Sequence, residues 1–242
     1  MLVVGFPAAA FATNCYVLAP GPGEECVVVD PGVEVAADLD AVLAEHRLRP
    51  VAVLLTHGHL DHTFSVTPVC RAKGIPAWIH PDDEVLLSDP MLGLSAETRS
   101  FFGGRLEWAE PDDVRTLHDG AVLDLAGLSL TVDHAPGHTP GSVMFRSPHT
   151  AEDPSALIAG DVLFAGSIGR TDLPGGSYEQ MLASLAGKCL TLPDATVVLP
   201  GHGPATTIGR ERGTNPYLAE AAAHAAQAGG RVPGPPPAGR GL

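Results

Sequence analysis

The stretch His57-Gly58-His59-Leu60-Asp61-His62 carries three imidazoles and a carboxylate within one short run. Groups this close repel or titrate unless a cation sits between them, and imidazole with carboxylate suits zinc or iron. Three later residues stand in similar company: His138 in Pro136-Gly137-His138, Asp161 in Gly160-Asp161, and His202 in Pro200-Gly201-His202-Gly203. The chemistry open to such a set is metal-assisted hydrolysis, in which paired divalent ions acidify a shared water and polarise the bond it attacks.

Each of these residues follows a short apolar run. Val51-Ala52-Val53-Leu54-Leu55 precedes His57 and has the length and branching of a buried strand. Strands are likewise expected over Leu2–Phe6, Asn14–Leu18, Cys26–Asp30, Ala77–His80, Arg115–His118, Ala121–Leu125, Leu128–Val132, Ser142–Arg146, Leu157–Asp161 and Thr196–Leu199. Turn residues such as Gly21-Pro22-Gly23, Asp30-Pro31-Gly32, Asp119-Gly120 and the polar Asp153-Pro154 separate them. Helical spacing predicts helices over Val35–His46, Thr63–Lys73 with Gly74 as C-cap, Asp82–Leu87, Ser177–Cys189 and Leu218–Gln227. Met91–Pro111, with Phe101, Phe102 and Trp108, reads as a partly helical excursion near the site whose aromatics pack in the core or loop, with lining of a substrate cleft as the alternative. Four strand ends converging on one rim would build a single site from distant segments.

Composition narrows the function. The chain has 242 residues, 45% of them hydrophobic, enough for one large core. Asp plus Glu number 28 against 14 Lys plus Arg, a formal net charge of −14. That balance disfavours nucleic acid and anionic membranes, whose phosphates need clustered cations. No run approaches the roughly twenty apolar residues of a membrane span, and the N-terminus lacks the basic region of a secretory signal. Cys15, Cys26, Cys70 and Cys189 are scattered and suit buried thiols in a reducing compartment. The expectation is a soluble cytoplasmic protein, monomeric or weakly oligomeric, acting on a small molecule. Its domain spans 1–228, and a disordered Gly/Pro-rich tail fills 229–242.

In order, T-H-x-H-x-D-H, P-G-H, G-D and P-G-H-G resemble the metallo-β-lactamase superfamily over nearly the whole chain up to about Tyr217. Gly160-Asp161-Val162-Leu163-Phe164, Ile168 to Ser177, and Asn215-Pro216-Tyr217-Leu218 are similar to the glyoxalase II-like (hydroxyacylglutathione hydrolase-like) group, in its short bacterial form. The resemblance implies an α/β fold, an αβ/βα four-layer sandwich of two mixed β-sheets with helices outside. It also implies two divalent ions, zinc foremost with iron or manganese as alternatives. His57, His59 and His138 would hold the first ion, Asp61, His62 and His202 the second, and Asp161 would bridge them.

The implied reaction is hydrolysis of a thioester of the S-2-hydroxyacyl-glutathione type by a metal-bridging hydroxide that Asp61 helps orient. The chain after His202 is too short for the helical glutathione-binding domain of full-length glyoxalase II, so the thiol half stays open. Arg170 has two readings, as a clamp for a substrate carboxylate or as an ion pair with Asp172. Competing functions are a persulfide dioxygenase with one iron on His57, His138 and Asp161, a lactone hydrolase on the dinuclear site, and a metal-stabilised binding protein.

Overall fold

Short branched and apolar runs punctuated by Pro and Gly build two sheets. The computed structural model describes residues 1–102, 108–148, 155–227 and 229, the side chains of Phe101 and Phe102 excepted. The first sheet takes β1 (Leu2–Pro7), β2 (Asn14–Ala19), β3 (Glu25–Val29), β4 (Arg49–Leu54), β5 (Ala77–Ile79) and β6 (Val114–Thr116) in that spatial order. It opens as an antiparallel meander through β1, β2 and β3 and continues in parallel through β4, β5 and β6. The second sheet runs from β7 (Val122–Leu125) through β8 (Leu128–His134), β9 (Val143–Arg146), β10 (Ala156–Gly160) and β11 (Val197–Pro200) to β12 (Thr206–Thr207). Only its β10–β11 pair is parallel.

The parallel neighbours require crossovers, which the helices supply. They are α1 (Ala36–His46), α2 (Leu60–Thr63), α3 (Val66–Lys73), α4 (Pro81–Ser88), α5 (Ala96–Phe102), α6 (Tyr178–Ser184), α7 (Ile208–Thr214) and α8 (Pro216–Gln227). Strand alternation sorts the side chains into layers. Leu18, Val27, Val29 and Leu54 face Leu130, Val132, Phe145 and Ile158 across the gap between the sheets. On the other faces, Val17, Val28 and Val53 pack under Leu39, Leu43 and Val69, while Met144, Leu157 and Val198 pack under Met181, Leu185 and Leu218. The result is the expected four-layer sandwich.

Several boundaries differ from the sequence reading. The strand expected over Arg115–His118 is β6, Val114–Thr116, which pairs with β5 as the far edge of the first sheet. The Asp119-Gly120 turn therefore leads from one sheet to the other rather than closing a hairpin. The single helix expected over Thr63–Lys73 is two, α2 and α3, with Ser65 between them donating its N–H to the Pro31 carbonyl at 3.0 Å. The stretch Ser177–Cys189 begins as α6 and ends in a π-helical turn over Leu185–Cys189. β12 and α7 had no clear pattern and were not anticipated. Gly74 does close α3 in a left-handed conformation, φ 67°, as its missing Cβ permits. All four cysteines are free and buried. Among the described residues, no helix is long and apolar enough to cross a membrane. The polar turn expected at Asp153-Pro154 and the tail, Gly229 apart, lie outside the described residues.

Candidate metal centre

His57 sits just past the end of β4, Asp161 directly after β10, and His202 two residues beyond β11, while His138 occupies the loop joining β8 to β9. Asp61 and His62 project from α2, whose single turn brings the later ligand-type residues of the motif back beside the first. The structure thus gathers all seven residues singled out in the sequence. One ligand atom from each of His57, His59 and His138 lies within 4.8 Å of the others, and the same holds for Asp61, His62 and His202. Asp161 stands between the two triads. Its Oδ1 is 3.4 Å from His62 Nε2, and its Oδ2 is 3.6 Å from both His138 Nε2 and His202 Nε2.

The outward-facing nitrogens decide what points inward. His138 Nδ1 lies 2.7 Å from the Arg170 carbonyl and His202 Nδ1 3.1 Å from the Phe11 carbonyl, so both carry protons and donate. His62 Nδ1 donates to Asp30 Oδ2 at 3.0 Å. The Thr56 hydroxyl donates to the same Asp30 oxygen at 2.6 Å and accepts from His57 Nδ1 at 3.1 Å. In all four rings Nε2 is the nitrogen aimed at the centre, placed to give its lone pair to an ion. His57 and His138 bring these lone pairs within 3.2 Å of each other, and His59 Nδ1 lies 2.8 Å from His138 Nε2. His62 Nε2 and Asp161 Oδ1 are buried without a hydrogen-bond partner among the described residues. Imidazole nitrogens and carboxylate oxygens converging in this way are a donor set shaped for cations, and ligand histidines are held like this through their second nitrogen.

Electrostatics splits the centre. Burial, then the neighbouring His62 and His138, holds His57 well below the usual imidazole range. Burial and His138 likewise take His59 down to about 3. For His62 burial pulls the same way but is outweighed by Asp61 and Asp161, which lift it well above that range. Burial pushes Asp61 up, yet His62, His202 and the Thr13 hydroxyl at 2.8 Å together hold it below the carboxylate range. His57 and His59 are thus held neutral, while Asp61 and His62 are held charged.

Two buried carboxylates that the sequence reading passed over fix this arrangement. Besides His62 and Thr56 Oγ1, Asp30 accepts the Thr56 N–H at 2.8 Å, from a left-handed backbone at φ 49°. In the sequence it was legible only as part of a turn. Asp83, on α4, accepts the Gly58 N–H at 2.9 Å, the Thr139 hydroxyl at 2.7 Å and the Gly141 N–H at 2.7 Å. It thereby joins the loop of His57 and His59 to the loop of His138. A Cβ on Gly141 would fall 2.6 Å from the Asp83 carboxyl carbon, and one on Gly201 would fall 2.2 Å from Asp161 Oδ1, so neither loop has room for a side chain there.

A cleft of about 460 Å³ opens over the centre, with Phe11, Leu94, Phe164 and Leu173 as its apolar walls. Arg170 stands at its rim, 60% exposed, and its guanidinium grips Asp172 through two bonds of 2.7 and 2.8 Å. That contact holds Asp172 at about 2, below the usual carboxylate range. A second hollow of similar volume, about 470 Å³, is lined by Phe64, Arg71 and Trp108 and includes none of the seven residues. Trp108 meets Phe64 edge-on and donates to the Leu87 carbonyl, a loop-packing role rather than a wall of the cleft.

The family model described as the metallo-beta-lactamase superfamily matches residues 8–202. The chain belongs to that superfamily. It is 34% identical over 212 residues to hydroxyacylglutathione hydrolase GloC of Haemophilus influenzae, covering 88% of this chain and 95% of that one. Among solved structures, BLEG-1 B3 metallo-beta-lactamase superposes with a TM-score of 0.79 at 40% identity, covering 90% of this chain and 99% of the other. TTHA1623 in a di-iron-bound form gives 0.73 at 38% identity, with 88% and 99% covered. The metallo-beta-lactamase fold is therefore shown, and membership with the His/Asp cluster marks a hydrolase that works with divalent metal ions.

Proposed function

We propose that this protein hydrolyses a thioester of the S-2-hydroxyacyl-glutathione type at a two-ion centre. The observation that carries the reading is Asp161, which faces both triads at once on the floor of an open cleft. In this reading His57, His59 and His138 hold one ion, Asp61, His62 and His202 hold the other, and Asp161 spans the pair. A mononuclear site on His57, His138 and Asp161 would leave Asp61, His62 and His202 assembled for no purpose, which favours the hydrolase over a dioxygenase. Zinc suits nitrogen-rich sets of this kind, and a di-iron form of a similar protein makes iron the alternative. Relatedness to a protein named for hydroxyacylglutathione hydrolysis supports the substrate class.

Bound there, two divalent cations supply a water that ionises near neutral pH and a Lewis-acid hold on the carbonyl oxygen. The chain's own part is positional. Carbonyls of Arg170 and Phe11 and the carboxylate of Asp30 hold the outer ring nitrogens as donors, so the inward nitrogens are the ones offered to an ion. Asp61, steadied by Thr13, holds its side of the centre and orients the attacking water. The apolar walls keep bulk water off the acyl group, and a departing thiolate needs little protonation from them. Arg170, exchanging Asp172 for a substrate carboxylate, would anchor the acidic end of the thiol half.

The test is metal content followed by a thioester panel. About two zinc ions per chain, with kcat/KM for S-lactoylglutathione on the order of 10⁴ M⁻¹s⁻¹ or more, is the expected result. Arg170→Ala should raise KM for acidic thioesters and leave neutral ones unaffected. One iron per chain with oxygen uptake on a persulfide would overturn the reading, as would a lactone or β-lactam turned over faster than every thioester.

A further inference from the structure

We propose that His80, Asp82 and His134 form a separate site for one transition-metal ion of the Zn(II), Ni(II) or Cu(II) type, apart from the seven-residue centre. One nitrogen of each ring and one Asp82 oxygen lie within 4.8 Å of one another. They come from two elements distant in sequence: His80 caps α4 and Asp82 sits in its first turn, while His134 ends β8. Two imidazoles and a carboxylate are a donor set that borderline transition ions favour over calcium or magnesium.

The hydrogen bonding leaves the donors available. His134 Nε2 lies 2.8 Å from the Pro140 carbonyl, so that nitrogen donates and Nδ1 keeps its lone pair. This is the pattern His138 shows on the Arg170 carbonyl. His80 Nδ1 accepts from the Asp82 N–H across a long 3.3 Å contact, and Asp82 Oδ2 stands 3.7 Å from the same nitrogen. Two ligands bonded at about 2.1 Å to a tetrahedral ion sit about 3.4 Å apart, so His80 and Asp82 are already close to chelating distance. Burial grades in the useful direction: His80 is buried, His134 half-buried and Asp82 exposed, giving a drier floor under an open mouth.

The two rings lie face to face, centroids 4.0 Å apart and planes within 8°. Parallel rings direct their lone pairs side by side, so taking up an ion rotates at least one ring out of the stack. The loss is the weak Asp82–His80 contact and one stacking contact, both small beside a micromolar binding constant. Because His134 also holds the Pro140 carbonyl, an ion here would sit against the loop that carries His138.

The test uses the metal-loaded protein in equilibrium dialysis against a series of buffered free zinc concentrations, with zinc counted per chain. The expected result is saturable uptake of one further ion with a dissociation constant of roughly micromolar order. His134→Gln, which can still donate to Pro140, and Asp82→Asn, a change at an exposed position, should each weaken that uptake about tenfold or more. Asp61→Ala, which alters the main centre, should leave it in place. Absence of the extra ion in the wild type, equal uptake in the His134 and Asp82 variants, or its loss in Asp61→Ala would each overturn the assignment.

Discussion

Asp30 serves both triads with one carboxylate, since Oδ2 takes the Thr56 hydroxyl that orients His57 and also the His62 ring. Asp30→Asn separates these roles from backbone strain, because asparagine tolerates the left-handed φ of 49° nearly as well. Keeping the oxygen on the Thr56 N–H turns the new amide toward Thr56 Oγ1 and His62 Nδ1. The His62 ring must then accept at Nδ1, which moves its proton to Nε2 and blunts that nitrogen as a ligand. We expect a 10–100-fold loss of metal affinity, largest for the ion on the His62 side, measured by competition with a chromogenic chelator. Unchanged affinity at both sites would remove Asp30 from this role. The seven central residues were readable in the sequence because His57, His138, Asp161 and His202 each follow an apolar run beside a glycine, while His59, Asp61 and His62 crowd into the first motif. Asp30 and Asp83 were not, since their partners lie 25 to 58 positions away and only the folded chain brings them together.

At the scale of elements, α4 acts as a tie between loops that belong to different sheets. Asp83 spends its two oxygens on three donors, and an amide in its place can satisfy only one oxygen's share. Asp83→Asn therefore sets an N–H₂ against a backbone N–H, at about 1–3 kcal/mol for the unsatisfied buried donor. The released loop carries either His59 or His138, so zinc content should fall selectively on the His57 side while the Asp61 side stays filled. Metal counts with melting curves read this directly. Equal loss from both sides, in proportion to the fall in Tm, would mean that Asp83 acts on stability alone. The strands and most helices were legible from period and punctuation, whereas the assignment of β6 to the first sheet was not. A three-residue strand has no pattern of its own, and its place is set by the register Ala77↔Val114 with its neighbour.

At the scale of the molecule, metal and fold are separable quantities. His57, His59, Asp61 and His62 come from the half of the chain that builds the first sheet, and His138, Asp161 and His202 from the second. Ions at this edge would pin the two sheets where they meet. The sandwich also has an apolar seam of its own, Leu18, Val29 and Leu54 packed on Leu130, Val132 and Phe145 between the sheets. The sheets are further linked near the site by Val143 N–H to the Thr56 carbonyl at 2.7 Å and by the Tyr16 hydroxyl to the Pro200 carbonyl at 2.8 Å. Removing the ions leaves lone pairs and carboxylates crowded together, and the imidazolium of His62 between Asp61 and Asp161 relieves part of that crowding. Each site loaded at about a thousandfold its dissociation constant adds about 4 kcal/mol, and a chain of this size shifts its Tm by about 2–4 °C per kcal/mol. Chelation should then abolish hydrolysis and lower Tm by on the order of 10 °C or more, with the far-UV circular dichroism unchanged at room temperature. Added zinc should restore both activity and Tm. Collapse of the secondary structure on chelation, in a protein that turns over no ester or thioester when loaded, would instead describe a metal-built scaffold, with ions that close the fold rather than open a reaction.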